Sequence, residues 1–138
     1  LGDGSLLEEC KREAEAGAGD VRFPGFVENV AVYLQAADYF ISASRSEGLP
    51  NTVMEALGAG LPVLLSNIPS HSEILKRGAQ AGRLFDLEDP SELARSIESL
   101  LYEEETELRA AARAVIEDHF NASRVSQEYQ EIYRLAIR

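Results

Sequence analysis

Apolar residues in the first sixteen positions recur every three or four residues (Leu6, Leu7, Cys10, Ala14), which predicts a helix over Ser5–Ala16. Ser5 is its expected N-cap, Glu8 completes a capping box, and Gly17-Ala18-Gly19-Asp20 ends it. The pattern then shortens. Val21-Arg22-Phe23 reads as a strand that turns out at Pro24-Gly25, and Phe26-Val27 leads into a helix over Val30–Ala36. Tyr39–Ser42 is a continuous apolar run of the kind found in a strand covered on both faces. A helix over Asn51–Leu57, a strand at Val63–Leu65, a turn at Pro69, a short helix over Ser72–Arg77 and an edge strand at Arg83–Phe85 follow. The remainder reads as three helices, Ser91–Tyr102, Glu104–Phe120 and Ser123–Ile137, the last with one apolar stripe of Val125, Tyr129, Ile132, Tyr133 and Ala136.

Strands alternating with helices at this spacing predict βαβ units, and hence an α/β fold with a parallel sheet and right-handed crossovers. Ligands of such sheets sit outside the carboxyl ends of the strands. The loops at 2–4, 24–27, 43–50 and 67–71 all follow expected strands, so they are expected to converge.

Bulk properties narrow the picture. A chain of 138 residues with 45% hydrophobic and 27% charged content is long enough for one domain with a real core. No apolar run has the length of a membrane span and no signal-peptide pattern opens the chain. The single Cys10 lies on the first apolar stripe and reads as a small buried hydrophobe of a reduced, cytoplasmic protein. The net charge is −11, from 24 acidic and 13 basic residues, which argues against nucleic-acid binding. It also repels anionic ligands at long range, so a phosphate site here must rely on local groups. The opening Leu1-Gly2-Asp3-Gly4 resembles the exit of a strand, from which a fragment of a longer protein is expected.

The chemistry concentrates between Ile41 and Ser66. Glu47, in the loop after a strand, and Glu55, in the following helix, stand eight residues apart. Between them Gly48, Leu49, Pro50, Asn51 and Thr52 deliver a helix N-terminus to the end of a buried strand. Free N–H groups and the positive end of a helix dipole suit a diphosphate, while carboxylates accept hydrogen bonds from sugar hydroxyls. Each residue also has a plainer role. Glu47 is equally a solvated loop glutamate, and Thr52-Val53-Met54-Glu55 reads as a capping box with Thr52 as N-cap. His71 reads as an exposed loop histidine, with a place at the edge of the site as the alternative, His119 as a helix C-terminal cap, and the Glu103–Glu105 run and the Arg109 to Arg113 face as solvated helix surface. No His/Cys/Asp grouping has metal-ligand spacing.

The run SRSEGLPNTVMEALGAGLPVLLSNIPSHSEI resembles the retaining glycosyltransferases of group 1, or family four, with an E-x7-E signature at Glu47–Glu55, the small-residue turn Gly58-Ala59-Gly60 and the Pro62-Val63 strand in order. The resemblance extends more loosely from Leu1 to about Phe120. It implies the C-terminal, donor-binding half of a GT-B fold: a Rossmann-like parallel sheet over 1–120, truncated before its first strand, and an amphipathic helix over 121–138 that would pack on the absent acceptor-binding N-terminal domain. It further implies a nucleotide-sugar donor, no cofactor and no metal. Glu47 would be the catalytic-site carboxylate holding donor-sugar hydroxyls near the reacting carbon, and Glu55 would hold the nucleotide ribose. Gly48, Leu49, Pro50, Asn51 and Thr52 would form the diphosphate corner, and the main chain of Gly25-Phe26-Val27 would contact the base.

The family's Arg and Lys for the diphosphate would lie upstream of Leu1, with Arg45 a poor substitute, and the missing strand implies a rearranged or intermolecularly completed sheet. NIPSHSEI resembles a subgroup that builds bacterial surface polysaccharides. Peripheral membrane association of the parent and self-association of the fragment through its last helix both stay open, and the fragment alone is expected to lack turnover. The competing reading is a non-catalytic Rossmann-like interaction domain in which Glu55 is only a cap.

Overall fold

The computed structural model describes residues 2–17 and 19–136; the readings that involve Leu1, Ala18 and Ile137 lie outside the described residues. Tertiary contacts divide the chain into two compact units, Leu1–Tyr33 and Leu34–Arg138.

The first unit carries α1 (Leu7–Ala16) and the start of α2 (Val30–Ala36). Two expectations fail here. Ser5 does not cap α1: it lies in a turn closed by the Leu7 amide on the Gly4 carbonyl, Leu6 takes the N-cap position, and Glu8 instead accepts from Lys11 Nζ at 2.7 Å. Val21–Phe23 forms no strand, because none of its backbone groups finds a ladder partner. With no strand among the described residues of this unit to cover α1, the helix buries none of its residues and Cys10 is exposed, not the core residue its spacing suggests. The two loops of the unit do meet: the Gly2 amide donates to the Gly25 carbonyl at 2.7 Å, and Gly25 sits at φ +72°, where a side chain is disfavoured.

The second unit holds the core. Strands β1 (Phe40–Ser42), β2 (Val63–Ser66) and β3 (Gly82–Phe85) form a parallel sheet in the order β1-β2-β3. Phe40 pairs with Val63, and Val63 in turn with Gly82. All four residues of β2 are buried, as the apolar run VLL requires of a middle strand. The flanking helices are α3 (Asn51–Gly58), α4 (Pro69–Arg77), α5 (Pro90–Leu101) and α6 (Glu105–Val115). Helix α3 packs on β1, β2 and α6, α4 on β3, and α5 on β2 and β3. Leu64, Phe85, Leu100 and Leu108 form one core cluster, with Tyr39, Leu87, Leu93 and Ile97 against it. The three strands keep their sequential order, and β1 is the edge of the sheet among the described residues; the strand expected to end at Leu1, beside which the sheet would be rearranged or completed, lies outside them.

The small-residue turn after α3 has a definite task. The Leu61 amide bonds the Ala56 carbonyl and the Gly60 amide bonds the Leu57 carbonyl, each at 2.9 Å, with Gly60 at φ +81°. This is a Schellman stop, which satisfies the last carbonyls and turns the chain straight into β2. Helix α6 ends in a π-helical turn, Ile116–Phe120, before α7 (Ala122–Ala136). The carbonyls at that end are met by Asn121 and Arg124, on Glu117 and Asp118 respectively, so the cap expected of His119 belongs to its neighbours.

Helix α5 begins at Pro90, with Asp89 as an N-cap whose carboxylate accepts from the Ser91 and Glu92 amides. The Ser91 hydroxyl above all, then Arg95 and those amides, hold the Asp89 carboxyl below its ordinary value of 3.8. A depressed folded-state value means stabilisation that is full above the unfolded-state value and is lost as pH falls through the folded one. Asp89→Ala is therefore expected to lower Tm at pH 7, and melts of the two proteins should converge as the pH drops below 3.8. A pH-independent difference would assign the effect to something other than the charged cap.

Candidate functional site

The corner between β1 and α3 is built by a proline. Pro50 is buried and occupies the N-cap position of α3, where the missing N–H costs nothing, and its carbonyl accepts from the Val53 and Met54 amides, both at 3.1 Å. Val53, Ala56 and Leu57 bury the inner face of the helix, which leaves Asn51, Thr52 and Glu55 on its exposed side. No side chain caps this N-terminus. The Asn51 amide turns back onto the Leu49 carbonyl at 2.9 Å, while the amides of Gly48, Leu49 and Thr52 have no acceptor among the described residues. Three backbone donors thus stay without a protein partner within five residues of chain at the positive end of the helix dipole.

Glu55 does not cap the helix. The N-cap is Pro50, two residues before Thr52, and proline has no amide for Glu55 to reach. The Glu55 carboxylate is exposed and makes no side-chain hydrogen bond among the described residues. The plainer explanation of this residue therefore falls. Glu47 is exposed as well, but one of its oxygens is engaged: Ser44 Oγ donates to Oε1 at 2.7 Å. Leu49, 64% exposed, stands beside the free amides. Arg45, the one basic residue in the loop, lies 3.5 Å from exposed Glu88 in a loose pair worth little in water.

Of the expected site residues, Glu47, Gly48, Leu49, Pro50, Asn51, Thr52 and Glu55 gather at this corner in the second unit. Gly25, Phe26 and Val27 belong to the first unit, where Phe26 is 75% exposed and Gly25 makes the turn described above. The loop after β2 does join the loop after β1, since Ser66 Oγ donates to the Ser44 carbonyl at 2.6 Å. Concavities of about 240 Å³ between residues 77–80 and 111–119 and of about 470 Å³ along residues 72–84 include neither carboxylate. The corner residues Glu47, Gly48, Leu49, Asn51, Thr52 and Glu55 are all exposed. No grouping of His, Cys, Asp and Glu among the described residues could hold a metal ion, and no helix among them is long and apolar enough to cross a membrane.

The sequence reading missed three participants. His71 is not an exposed loop residue: it sits fully buried in the first turn of α4, its Nδ1 3.0 Å from the Ser66 carbonyl and 3.2 Å from Ser66 Oγ. Ser66 is buried at the end of β2, and Ser44 is half-buried beside Glu47. A serine ending a wholly apolar strand is the signal that points to such a network, since a buried hydroxyl requires a partner.

The chain resembles known proteins in sequence and in fold. The O-antigen biosynthesis glycosyltransferase WclY of Escherichia coli is 31% identical over 120 residues, covering 86% of this chain and 32% of that protein. The lipopolysaccharide core biosynthesis glycosyltransferase LpsE of Rhizobium meliloti is 26% identical over 136 residues, covering 96% of this chain and 40% of that protein. The chain thus spans about a third of the length of the curated relatives it matches. Among solved structures, sucrose-phosphate synthase from Thermosynechococcus elongatus superposes with a TM-score of 0.77 at 24% identity, over 96% of this chain and 34% of that one. That likeness establishes the fold, the GT-B architecture implied by the signature. Residues 1–103 match the family described as glycosyl transferases group 1, and with three quarters of its length inside that match the chain belongs to this glycosyltransferase family.

Proposed function

We propose that this chain is the donor-binding half of a two-domain retaining glycosyltransferase, and that the parent moves a sugar from a nucleotide diphosphate donor to a hydroxyl acceptor. The observation that carries this reading is the β1–α3 corner, where two exposed carboxylates from one signature flank a helix N-terminus with free backbone donors. In the productive complex the amides of Gly48, Leu49 and Thr52 hold the diphosphate, whose growing charge as leaving group they stabilise. Glu55 accepts from the ribose hydroxyls and Glu47 from those of the donor sugar. The names of the relatives, in O-antigen and lipopolysaccharide core synthesis, support a parent working on bacterial polysaccharide or glycolipid. No metal or cofactor is assigned to the reaction.

The test is a ¹⁵N correlation spectrum of the 138-residue chain titrated separately with UDP-glucose, GDP-mannose and ADP-glucose. Shifts that include residues 44–55 with one of the three are expected. Glu55→Gln should weaken that binding by roughly tenfold or more, since hydrogen bonds to a charged group contribute about 1.5–3 kcal/mol. Its Tm should stay unchanged, because Glu55 has no partner to lose. Equal binding by the variant and the parent sequence would remove Glu55 from the site.

A further inference from the structure

The hydrogen bonds running from His71 to Glu47 have a direction that can be assigned. Glu47, as a carboxylate, only accepts, so the Ser44 hydroxyl proton points to it, and Ser42 Oγ, 3.3 Å from Ser44 Oγ, must be the donor in that pair. The Ser44 carbonyl also only accepts, so Ser66 spends its single hydroxyl proton there, at 2.6 Å. Ser66 then has none left for His71. The contacts of His71 Nδ1 with Ser66 O and Oγ therefore require Nδ1 to carry the proton, which fixes the ring's role as donor. Every link runs toward the loop after β1.

The consequence falls on Ser44. Its carbonyl is held by Ser66 and its hydroxyl lies between Ser42 and Glu47, so neither its backbone nor its rotamer is free. Ser66 is held in turn by His71, at 0% exposure, and by the start of α4, where the Ile68 amide bonds the Ser66 carbonyl at 2.8 Å. An exposed loop glutamate ordinarily samples several rotamers. Here Oε1 is tethered, and Oε2 is left without a partner among the described residues.

We propose that His71 is a positioning residue for Glu47, acting through Ser66 and Ser44 to fix the direction in which Oε2 is presented. This rests on the donor-site reading above. The burial of His71 and the one-way order of the bonds argue for it. A group needed only to fill space at this point is met by an aliphatic side chain at no polar cost, and an imidazole is not.

The test uses the complete two-domain enzyme, with nucleoside diphosphate release from UDP-glucose, GDP-mannose or ADP-glucose, whichever it turns over, as the assay and water as acceptor. His71→Leu keeps the volume and removes the donor; kcat is expected to fall roughly tenfold or more, with donor KM within about twofold, as for a misdirected catalytic group. His71→Asn places an amide nitrogen close to the position of Nδ1 and should restore most of kcat, although its smaller volume lowers Tm at least as far as leucine does. A space-filling role predicts the reverse order, with kcat following Tm. Equal kcat for the two variants, or wild-type kcat for His71→Leu, overturns the proposal. If His71→Leu does not fold, Ser66→Ala breaks the same chain with a smaller change and must show the same fall in kcat. Glu47→Gln in the same assay separates the two layers: if it retains wild-type kcat the role of Glu47 in the donor site fails and the positioning role with it, whereas a dead Glu47→Gln beside an unaffected His71→Leu rejects the positioning role alone.

Discussion

Gly82→Ala is expected to destabilise this domain by about 3 kcal/mol or more. The reason is not backbone strain, since Gly82 has φ 171°, an extended conformation open to any residue. It is the closeness of β2. A Cβ at position 82 would lie 2.0 Å from the Val63 carbonyl oxygen and 2.8 Å from Val63 Cγ2. Val63 opens the fully buried middle strand and pairs with Gly82 across the sheet, so relief requires β2 and β3 to separate where the core is tightest. A flexible side chain can step aside; a strand carbonyl bonded into a ladder cannot. Thermal melts should show Tm lower by roughly 10 °C or more. Gly58→Ala serves as the control, because a Cβ there meets nothing within 4 Å and helix propensity favours alanine. A Gly82→Ala protein that melts with the wild type would mean that the β2–β3 spacing is looser than described.

How much of this was legible beforehand depended on where each element draws its stability. Strands β1 to β3 and the helices around them carry their own apolar patterns, and most form within a residue or two of the expected limits; α2 matches at both ends, α4 starts three residues early because Pro69 supplies its first turn, and α6 stops at Val115, five residues short of the expected Phe120, where the π-helical turn takes over. The failures are of another kind. Val21-Arg22-Phe23 has strand-like residues but no neighbour to pair with, and pairing is a property of the whole sheet. Both expected capping boxes had the right residue types and lost to the adjacent turn, at Gly4 in one case and at Pro50 in the other. The signature marked the corner itself, since its prolines and glycines dictate local geometry. It did not reveal His71, whose role depends on β2 bringing Ser66 beside Ser44 across 22 residues of sequence.

Glu47→Gln in the complete enzyme should lower kcat by about two orders of magnitude while leaving Tm and the affinity for free nucleoside diphosphate unchanged. The substitution is nearly isosteric, and the amide oxygen of glutamine can still accept from Ser44 Oγ, so the loop keeps the one bond that Glu47 makes within the protein. What changes is the outward end. The unpartnered oxygen becomes an NH₂ that cannot accept from a sugar hydroxyl, and the negative charge beside the reacting carbon is gone. Interactions that strengthen as the sugar–phosphate bond breaks act on kcat, whereas ribose and diphosphate contacts, assigned to Glu55 and the Gly48–Thr52 amides, act on donor binding. The two glutamates of one signature should therefore separate in kinetics: Glu47→Gln in kcat, Glu55→Gln in donor affinity. Nucleoside diphosphate release under saturating donor, with binding of the free nucleotide measured by calorimetry on the same samples, distinguishes these outcomes. A Glu47→Gln enzyme within twofold of wild type in kcat would return this residue to what its exposure alone suggests, a solvated loop carboxylate, and the function of the corner would then rest on the helix N-terminus and Glu55.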